Sequence, residues 1–115
     1  MSDQPEMTVD EYGTKRWVLN GILHREDGPA VEWSNGTKAW YLNGELHRIG
    51  GPAIEWLDGS EEWWANGKRH RIGGPAIEYS DGSKEWWENG IEYDIIEVRF
   101  FDVEEEMTDA GRDFD

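Results

Sequence analysis

Three histidines recur at a spacing of 23 residues, and their side chains are the ones best suited to catalysis or metal binding: His24, His47 and His70. In a repeating β-structure, equivalent positions lie about two strand spacings apart, near 9 to 10 Å, whereas a metal ion lies about 2 Å from each ligand. One ion therefore cannot bridge the three imidazoles. A His that faces a Trp in a regular ladder is better suited to packing and to anchoring a turn. We predict no metal site, no cofactor and no catalytic residue.

The remaining residue types also argue against an enzyme. The chain has no Cys, which excludes a disulfide framework, a zinc ribbon and thiol chemistry. No Ser nucleophile motif and no Gly-rich phosphate loop ahead of a helix can be found in it. Its 115 residues suffice for one small domain. The sequence therefore indicates a non-enzymatic protein.

Carboxylates dominate the charge of the chain. It holds 26 Asp and Glu against 11 Lys and Arg, which gives a formal net charge of -15. Direct binding to nucleic acid or to anionic lipid is unfavourable at this charge. No apolar run approaches the roughly 20 residues of a membrane span, and the acidic start is unlike a signal peptide. We expect a cytoplasmic protein whose partner is neither bare nucleic acid nor a membrane.

These side chains are carried by an internal repeat of 23 residues without gaps. Each unit contains a Trp, an Asn-Gly dipeptide, a His-Arg pair, a Gly-Pro-Ala block and a second Asn-Gly or Asp-Gly dipeptide. The organisation we predict is an N-terminal arm over 1–11, three and a half repeats over 12–91, a capping strand over 92–101 and an acidic tail over 102–115.

Two turn dipeptides per unit predict a run of short hairpins. Asn-Gly and Asp-Gly favour the positive φ angles of two-residue type I′ turns. With such turns at both Asp58-Gly59 and Asn66-Gly67, the predicted cross-strand pairs are Ile54 with Trp63, Glu55 with Glu62, Trp63 with His70 and Glu62 with Arg71. The same registers place Ile54, Trp56, Trp63 and His70 on one face and Trp64 on the other.

The fold class that follows is all-β, an elongated antiparallel β-meander of hairpin repeats. Each Gly-Pro-Ala block places its Pro at a strand start, where a missing N–H costs little. Aromatic side chains, eight of them Trp, must supply much of the apolar packing. The open edge of such a sheet allows a homodimer unless the C-terminal strand caps it.

A resemblance to a known family supports this fold. The run from Trp63 to Ser83, with Asn66-Gly67-Lys68-Arg69-His70, Gly74 and Asp81-Gly82-Ser83, resembles a MORN-type repeat of the kind seen in bacterial and phage proteins. The resemblance covers about two-thirds of the chain. It implies aromatic β-hairpins of this same 23-residue period.

The repeated carboxylates suggest the function. Rows of negative charge along a rod imitate a phosphate backbone and would compete for a basic nucleic-acid channel. Our hypothesis is an inhibitor that blocks such a channel on a partner protein, as nucleic-acid-mimicking phage inhibitors of the anti-CRISPR or anti-restriction type do. If phage-encoded, it would act in the host cytoplasm. The predicted partner-binding residues are the acidic Glu55, Glu61, Glu62, Glu78, Glu85 and Glu88, with Trp64 and Trp87 as anchors.

Three other interpretations of the same residues stay open. The acidity can serve solubility and discourage edge-to-edge pairing of the sheet. The repeats can form a MORN-like scaffold that holds two proteins together. Aromatic-rich repeats can also build a sugar- or choline-binding module, because aromatic cages hold quaternary ammonium groups.

Overall fold

A computed structural model describes residues 4–95 of the chain, and all regular secondary structure in this range is β-strand. None of these residues belongs to a helix that is long and apolar enough to cross a membrane. The strands are β1 (Glu6–Val9), β2 (Lys15–Leu19), β3 (Ile22–Leu23), β4 (Val31–Glu32), β5 (Lys38–Ala39), β6 (Tyr41–Leu42), β7 (Glu45–Leu46), β8 (Ile54–Glu55), β9 (Glu61–Glu62), β10 (Trp64–Ala65), β11 (Lys68–Arg69), β12 (Ile77–Glu78), β13 (Lys84–Glu88) and β14 (Ile91–Tyr93).

The strands form one long antiparallel sheet with smaller hairpins along its side. The sheet runs in the order β1-β2-β4-β5-β8-β9-β12-β13-β14, with β3 paired to β2. Two further hairpins, β6 with β7 and β10 with β11, lie outside this path. The Cα atoms extend over 68 × 31 × 19 Å. The all-β prediction and the antiparallel meander are therefore confirmed.

Four of the five Asn-Gly dipeptides form two-residue turns as predicted, whereas Asn35-Gly36 ends a three-residue loop. Asn66 has a φ of 52° and Gly67 one of 78°, and the flanking Trp64 pairs with Arg69. Positive φ at both central residues defines the type I′ turn, whose twist matches that of the two strands. The same geometry recurs at Asn20-Gly21, Asn43-Gly44 and Asn89-Gly90.

The Asp58-Gly59 turn is different, because its loop has three residues and not two. The backbone N–H of Trp56 donates to the carbonyl of Ser60 at 2.9 Å, and the N–H of Gly59 donates back to the carbonyl of Trp56 at 3.0 Å. In this loop only Gly59 has a positive φ, 94°. A type I turn followed by one left-handed residue is the common three-residue hairpin. Equivalent loops occupy 11–13, 34–36 and 80–82.

The extra loop residue shifts the register by one, and a one-residue shift moves side chains to the opposite face. Ile54 pairs with Glu62, and Glu55 pairs with Glu61. The predicted pairs of Ile54 with Trp63 and of Glu55 with Glu62 are therefore wrong. Glu62 shares its face with Trp56 and Trp64, whose indole N–H groups both donate to its carboxylate.

The two faces of the sheet carry different chemistry. We name the face that carries Ile54, Trp56 and Glu62 the aromatic face. The opposite side, which carries Glu55 and Glu61, is the charged face. Trp63, predicted to lie beside Ile54, instead belongs to the side opposite Glu62 and Trp64. Neither face has a thick core, since the fully buried apolar side chains are mostly small: Ala30, Val31, Ala39, Ala53, Ala76 and Ile77.

Each repeat is closed by a guanidinium stacked on an indole. The Cζ of Arg48 lies 3.9 Å from the centre of the Trp40 ring. The Nη1 of the same guanidinium donates to the carbonyl of Pro52 at 3.0 Å and lies 3.1 Å from the carboxylate of Glu55. Arg25 and Arg71 stack in the same way on the Trp17 and Trp63 rings, each at 3.8 Å.

The acidic partners of these arginines differ in part from the prediction. Arg25 and Arg48 pair with Glu32 and Glu55, which the sequence analysis had not assigned to them. Arg71 was predicted to lie across from Glu62. The guanidinium nitrogen that lies near the Glu62 carboxylate is instead the Nε of Arg69, at 3.9 Å.

Two series of hydrogen bonds tie each repeat to the next. The Nδ1 of His24 accepts a hydrogen bond from the backbone N–H of Asn43 at 2.9 Å, and this bond recurs from Asn66 to His47 and from Asn89 to His70. The predicted turn-anchoring role of the histidines is confirmed.

Hydroxyl groups make the equivalent bonds at the three-residue loops. The Oγ1 of Thr37 accepts from the N–H of Leu57 at 3.1 Å, and the Oγ of Ser60 accepts from the N–H of Ser80 at 2.9 Å. Both acceptors are buried.

The repeat extends further towards the N terminus than the residue pattern indicates. Residues 6–9 of the predicted arm form β1, which pairs with β2 in the way that β4 pairs with β5. At the other end, β14 covers Ile91–Tyr93 and so overlaps the predicted capping strand at 92 and 93, while 94 and 95 belong to no strand. The rest of that strand from 96 onwards, and the acidic tail over 102–115, lie outside the described residues.

Gly51 is required by the stacked arginine. A Cβ at this position would lie 2.9 Å from the Cζ of Arg48, so the guanidinium would have to leave the Trp40 ring. We expect Gly51→Ala to lower the free energy of unfolding by about 1 kcal/mol, the size of a cation–π contact. Urea denaturation of a double-mutant cycle measures this coupling. The cost should largely vanish in an Arg48→Ala background, and an equal cost in both backgrounds would contradict the account.

Thr37 tests the hydrogen bonds between repeats. Thr37→Val keeps the shape of the side chain but leaves the N–H of Leu57 without its acceptor, so the free energy of unfolding should fall by about 1 kcal/mol. Thr8→Val is the matched control on exposed β1, where we expect a change within about 0.5 kcal/mol. An unchanged or raised urea midpoint for Thr37→Val would show that the bond adds no stability.

Candidate protein-binding site

A row of directly paired charged side chains crosses the charged face. At one end the charges alternate: Lys15 pairs with Glu32, Glu32 with Lys38 and Lys38 with Glu55. In the middle the alternation fails: Glu55 pairs with Glu61 and Glu61 with Glu78. At the far end Glu78 pairs with Lys84. Three neighbouring strands thus carry glutamates side by side, and we call Glu55, Glu61 and Glu78 the glutamate triplet.

Glu61 alone creates the triplet. The positions equivalent to it in the other repeats hold Lys15, Lys38 and Lys84. Like charges directly opposite each other destabilise a sheet, and here two such pairs occur in succession. A Lys at position 61 would restore the alternation. The like-charged pairs themselves therefore add nothing to the stability of the sheet. Because the Glu55 carboxylate is already paired with Arg48, Glu61 and Glu78 are the members of the triplet that are most available to a partner.

The structure places two other predicted residues, Glu62 and Glu85, on the aromatic face. The Glu62 carboxylate accepts from the indole N–H of Trp64 at 2.9 Å and from that of Trp56 at 2.8 Å. Its side chain is only 13% exposed. Glu62 is therefore held in one orientation and is not part of the row that contains Glu61.

Glu85 has an equivalent pair of donors. The indole N–H of Trp87 and the hydroxyl of Tyr79 both donate to its carboxylate at 2.8 Å. These bonds, the one from Trp87 above all, hold the pKa of Glu85 below its ordinary value. The bond to Glu85, together with burial, raises the pKa of Tyr79 above its ordinary value. The two aromatic donors therefore favour the ionised carboxylate.

The predicted anchors Trp64 and Trp87 are occupied within the protein. Besides donating to Glu62 and Glu85, their rings flank Arg69, whose Cζ lies 5.2 Å from the centre of the Trp64 ring and 4.9 Å from that of Trp87. They serve to position the carboxylates and are less free to insert into a partner than predicted. The last predicted residue, exposed Glu88, pairs with Ile91 at the end of the sheet, away from the triplet.

The more exposed rings of the aromatic face were assigned to packing by sequence reasoning. Trp33, Trp56 and Tyr79 are 37%, 45% and 41% exposed. Their period of 23 residues was visible in the sequence. The three-residue loops pair Trp33 with Thr37, Trp56 with Ser60 and Tyr79 with Ser83, which places the three rings in one row beside Ile54 and Ile77.

The positive charges of the repeats are mostly engaged. Within residues 4–95 there are seventeen acidic and nine basic residues, a net charge of -8. The arginines of this range each stack on a Trp ring or pair with a carboxylate: Arg16, Arg25, Arg48, Arg69 and Arg71. Its lysines lie in the charged row or, for Lys68, at an exposed position of a hairpin. The surface offered to a partner is therefore predominantly negative.

No group of three His, Asp or Glu side chains within residues 4–95 is arranged to hold a metal ion. No protein-family model, curated protein sequence or solved structure matches this chain. The resemblance of the 23-residue unit to a MORN-type repeat therefore stays a prediction.

The stability of the protein at acid pH tests the hydrogen bonds to the Glu85 carboxylate. The pKa of Glu85 is lower in the folded state than its ordinary 4.5, so its contribution to stability is present above about pH 4.5 and is lost as the pH falls through the folded value. We expect Glu85→Gln to lower the urea midpoint at pH 7. The difference in urea midpoint between this variant and the wild type should narrow below about pH 4.5. Tyr79→Phe should reduce this acid dependence without removing it, because Trp87 still donates. A constant gap across this range would contradict the assignment.

Proposed function

We propose that the protein is a non-catalytic binding protein that occupies a Lys/Arg-rich, nucleic-acid-binding surface of a partner protein. The observation that carries the proposal is the glutamate triplet on the charged face. It brings together three of the residues singled out from the sequence, at a position where the other repeats use Lys.

The spacing of the triplet supports an imitation of phosphates. Glu55, Glu61 and Glu78 project from three adjacent strands, whose backbones lie about 4.8 Å apart. Phosphates follow one another at about 3.4 Å along the axis of one DNA strand, a spacing of the same order. A partner surface shaped for a nucleic-acid backbone would therefore meet a similar density of negative charge.

Rigidity also favours this interpretation. The glutamates project from paired strands, so less conformational freedom is lost on binding than with acidic side chains on a mobile loop. In its small size, net charge of -15 and repeat type, the chain resembles phage anti-defence inhibitors of the anti-CRISPR or anti-restriction type. An inhibitor of this type blocks the partner by excluding its nucleic acid.

A scaffold is the second candidate function, and the difference between the two faces favours it. The charged face and the aromatic face lie on opposite sides of one sheet, so each can contact a different protein. Binding through the aromatic face would resist salt, whereas binding through the triplet would weaken steeply as salt is raised.

Glu61→Lys separates function from stability. The substitution replaces two like-charged pairs with two opposite-charged pairs, so the free energy of unfolding should rise by about 0.5 to 1 kcal/mol. The same variant should lose its partner. Loss of binding by a protein that has become more stable cannot be attributed to misfolding.

The binding measurement is capture from a nuclease-treated bacterial lysate at low and at high salt. Wild type, Glu61→Lys and Glu6→Lys serve as baits, the last carrying the same charge change on β1. We expect the wild type and Glu6→Lys to retain a nucleic-acid-binding protein that high salt or added DNA displaces, and Glu61→Lys to retain little of it. Salt-resistant capture that is indifferent to Glu61→Lys, or simultaneous binding of DNA and this protein by the captured partner, would overturn the proposal.

A further inference from the structure

Two clefts on the aromatic face lie between rings that recur once per repeat. Trp33, Trp56 and Tyr79 project from β-strand ends in three successive units, and each unit adds two strands to the sheet. Two strand spacings place neighbouring rings about 9 to 10 Å apart. Trp56 is therefore a wall shared by both clefts.

The first cleft, between Trp33 and Trp56, is apolar. It encloses about 290 Å³, and Ala39, Tyr41 and Ile54 contribute to its lining. Asn35 and Thr37 lie at its loop end. No carboxylate, His, Lys or Arg lines it, so its chemistry suits an uncharged apolar side chain.

The second cleft, between Trp56 and Tyr79, has the same plan with two acids added. It encloses about 240 Å³. Glu62 takes the place that Ala39 has in the first cleft, and Asp58 takes the place of Asn35. Two aromatic walls with two carboxylates form a site for a cation, because the ring faces and the carboxylates both attract positive charge.

The protein itself shows how such a cation binds. Arg69 lies between the rings of Trp64 and Trp87, with its Nε 3.9 Å from Glu62. In contrast, no Arg or Lys within residues 4–95 stacks on Trp56 or Tyr79. Glu62 and Asp58 line the second cleft, and Glu85 lies beyond Tyr79. Within residues 4–95, Arg69 is the one cation that pairs with any of these carboxylates. The cleft therefore keeps a negative charge for an incoming cation.

We propose that the two clefts together bind an extended segment of a second protein partner. An arginine of this segment enters the Trp56–Tyr79 cleft, and an apolar side chain three residues away enters the Trp33–Trp56 cleft. A polyproline II segment rises about 3.1 Å per residue, so side chains three residues apart are separated by about 9 Å, the spacing of the clefts. Pro-rich segments dock into aromatic-lined grooves of other domains by the same geometry.

The Glu62 carboxylate is oriented for this role before the partner arrives. Trp56 and Trp64 each donate one hydrogen bond to it, which leaves further acceptor positions on its oxygens. The guanidinium would stack on Trp56 and pair with Glu62 and Asp58. Because the clefts lie on the face opposite the glutamate triplet, this site does not depend on the function proposed for the charged face.

The test uses the whole chain labelled with ¹⁵N and a synthetic peptide, N-acetylated and C-amidated, of sequence Leu-Pro-Pro-Arg. The same peptide with citrulline in place of Arg keeps the shape of the side chain and removes its charge. We expect the Arg peptide to shift the indole N–H signal of Trp56 and to bind about ten-fold more tightly than the citrulline peptide. Equal binding of the two peptides, or no shift of the Trp56 signal at millimolar Arg peptide, would overturn the proposal.

Two variants locate the site. Asp58→Asn reproduces the loop of the preceding repeat, in which the Oδ1 of Asn35 accepts from the N–H of Thr37 at 2.9 Å, so the variant should fold. Asp58→Asn should weaken the Arg peptide about five-fold and leave the citrulline peptide unchanged. Glu62→Gln should also weaken the Arg peptide, with a smaller effect on the citrulline peptide, because its amide NH2 group faces one of the two indole N–H donors. Glu6→Gln, with the same loss of charge on β1, should bind as the wild type does. Arg-peptide affinity that is indifferent to Asp58→Asn and Glu62→Gln would overturn the assignment.

Choline chloride provides the final arm, because a quaternary ammonium ion also suits aromatic walls. If choline shifts the Trp56 signal at lower concentration than the Arg peptide does, the cleft is a small-molecule site and the peptide proposal is wrong. Peptide binding together with an unchanged capture experiment for Glu61→Lys would support the aromatic site and refute the function proposed for the charged face. No peptide binding together with loss of capture by Glu61→Lys would refute the aromatic site and support the function proposed for the charged face.

Discussion

Each repeat contains both a two-residue turn and a three-residue loop, and the difference between them decides which face of the sheet the flanking side chains occupy. Two-residue Asn-Gly turns join the strands at one side of the repeat, and three-residue loops ending in Gly join them at the other. With two-residue loops throughout, Glu62 would leave the aromatic rings that now hold it. The glutamate triplet and the aromatic clefts both exist because of this single difference in loop length.

Stability in this fold comes from contacts between neighbours and not from a central core. The buried apolar side chains are few and mostly small, while large aromatic rings cover them or carry stacked arginines. Backbone N–H groups that a hairpin repeat leaves unpaired are satisfied by His, Thr or Ser side chains of the preceding unit. The recurring polar residues therefore serve mainly to join the units, and Glu55 also pairs with Arg48, which leaves Glu61 as a charge that the fold does not require.

Much of the fold could be predicted from the sequence, because a 23-residue period and four Asn-Gly turns constrain the chain strongly. The strand type, the type I′ turns and the anchoring role of His24, His47 and His70 all follow from residue identity. The register at Asp58-Gly59 does not, since an Asp-Gly dipeptide fits a two-residue turn and also the end of a three-residue loop. A Ser or Thr follows each such Gly and is buried at Thr14, Thr37 and Ser60, and this residue is the sequence feature that marks the longer loop. The acidic residues of the candidate site were recognised, but their division between two faces depended on this register.

The one-dimensional connectivity of the repeats has an evolutionary consequence. A duplicated or deleted 23-residue unit would meet the same donors and acceptors at both of its boundaries, so the rod could change length without a new fold. The strand that carries Glu61 and Glu62 would then move relative to the two ends in steps of about 10 Å. Such a lineage could adjust the distance between recognition features by recombination alone, and it could then refine each unit by substitution.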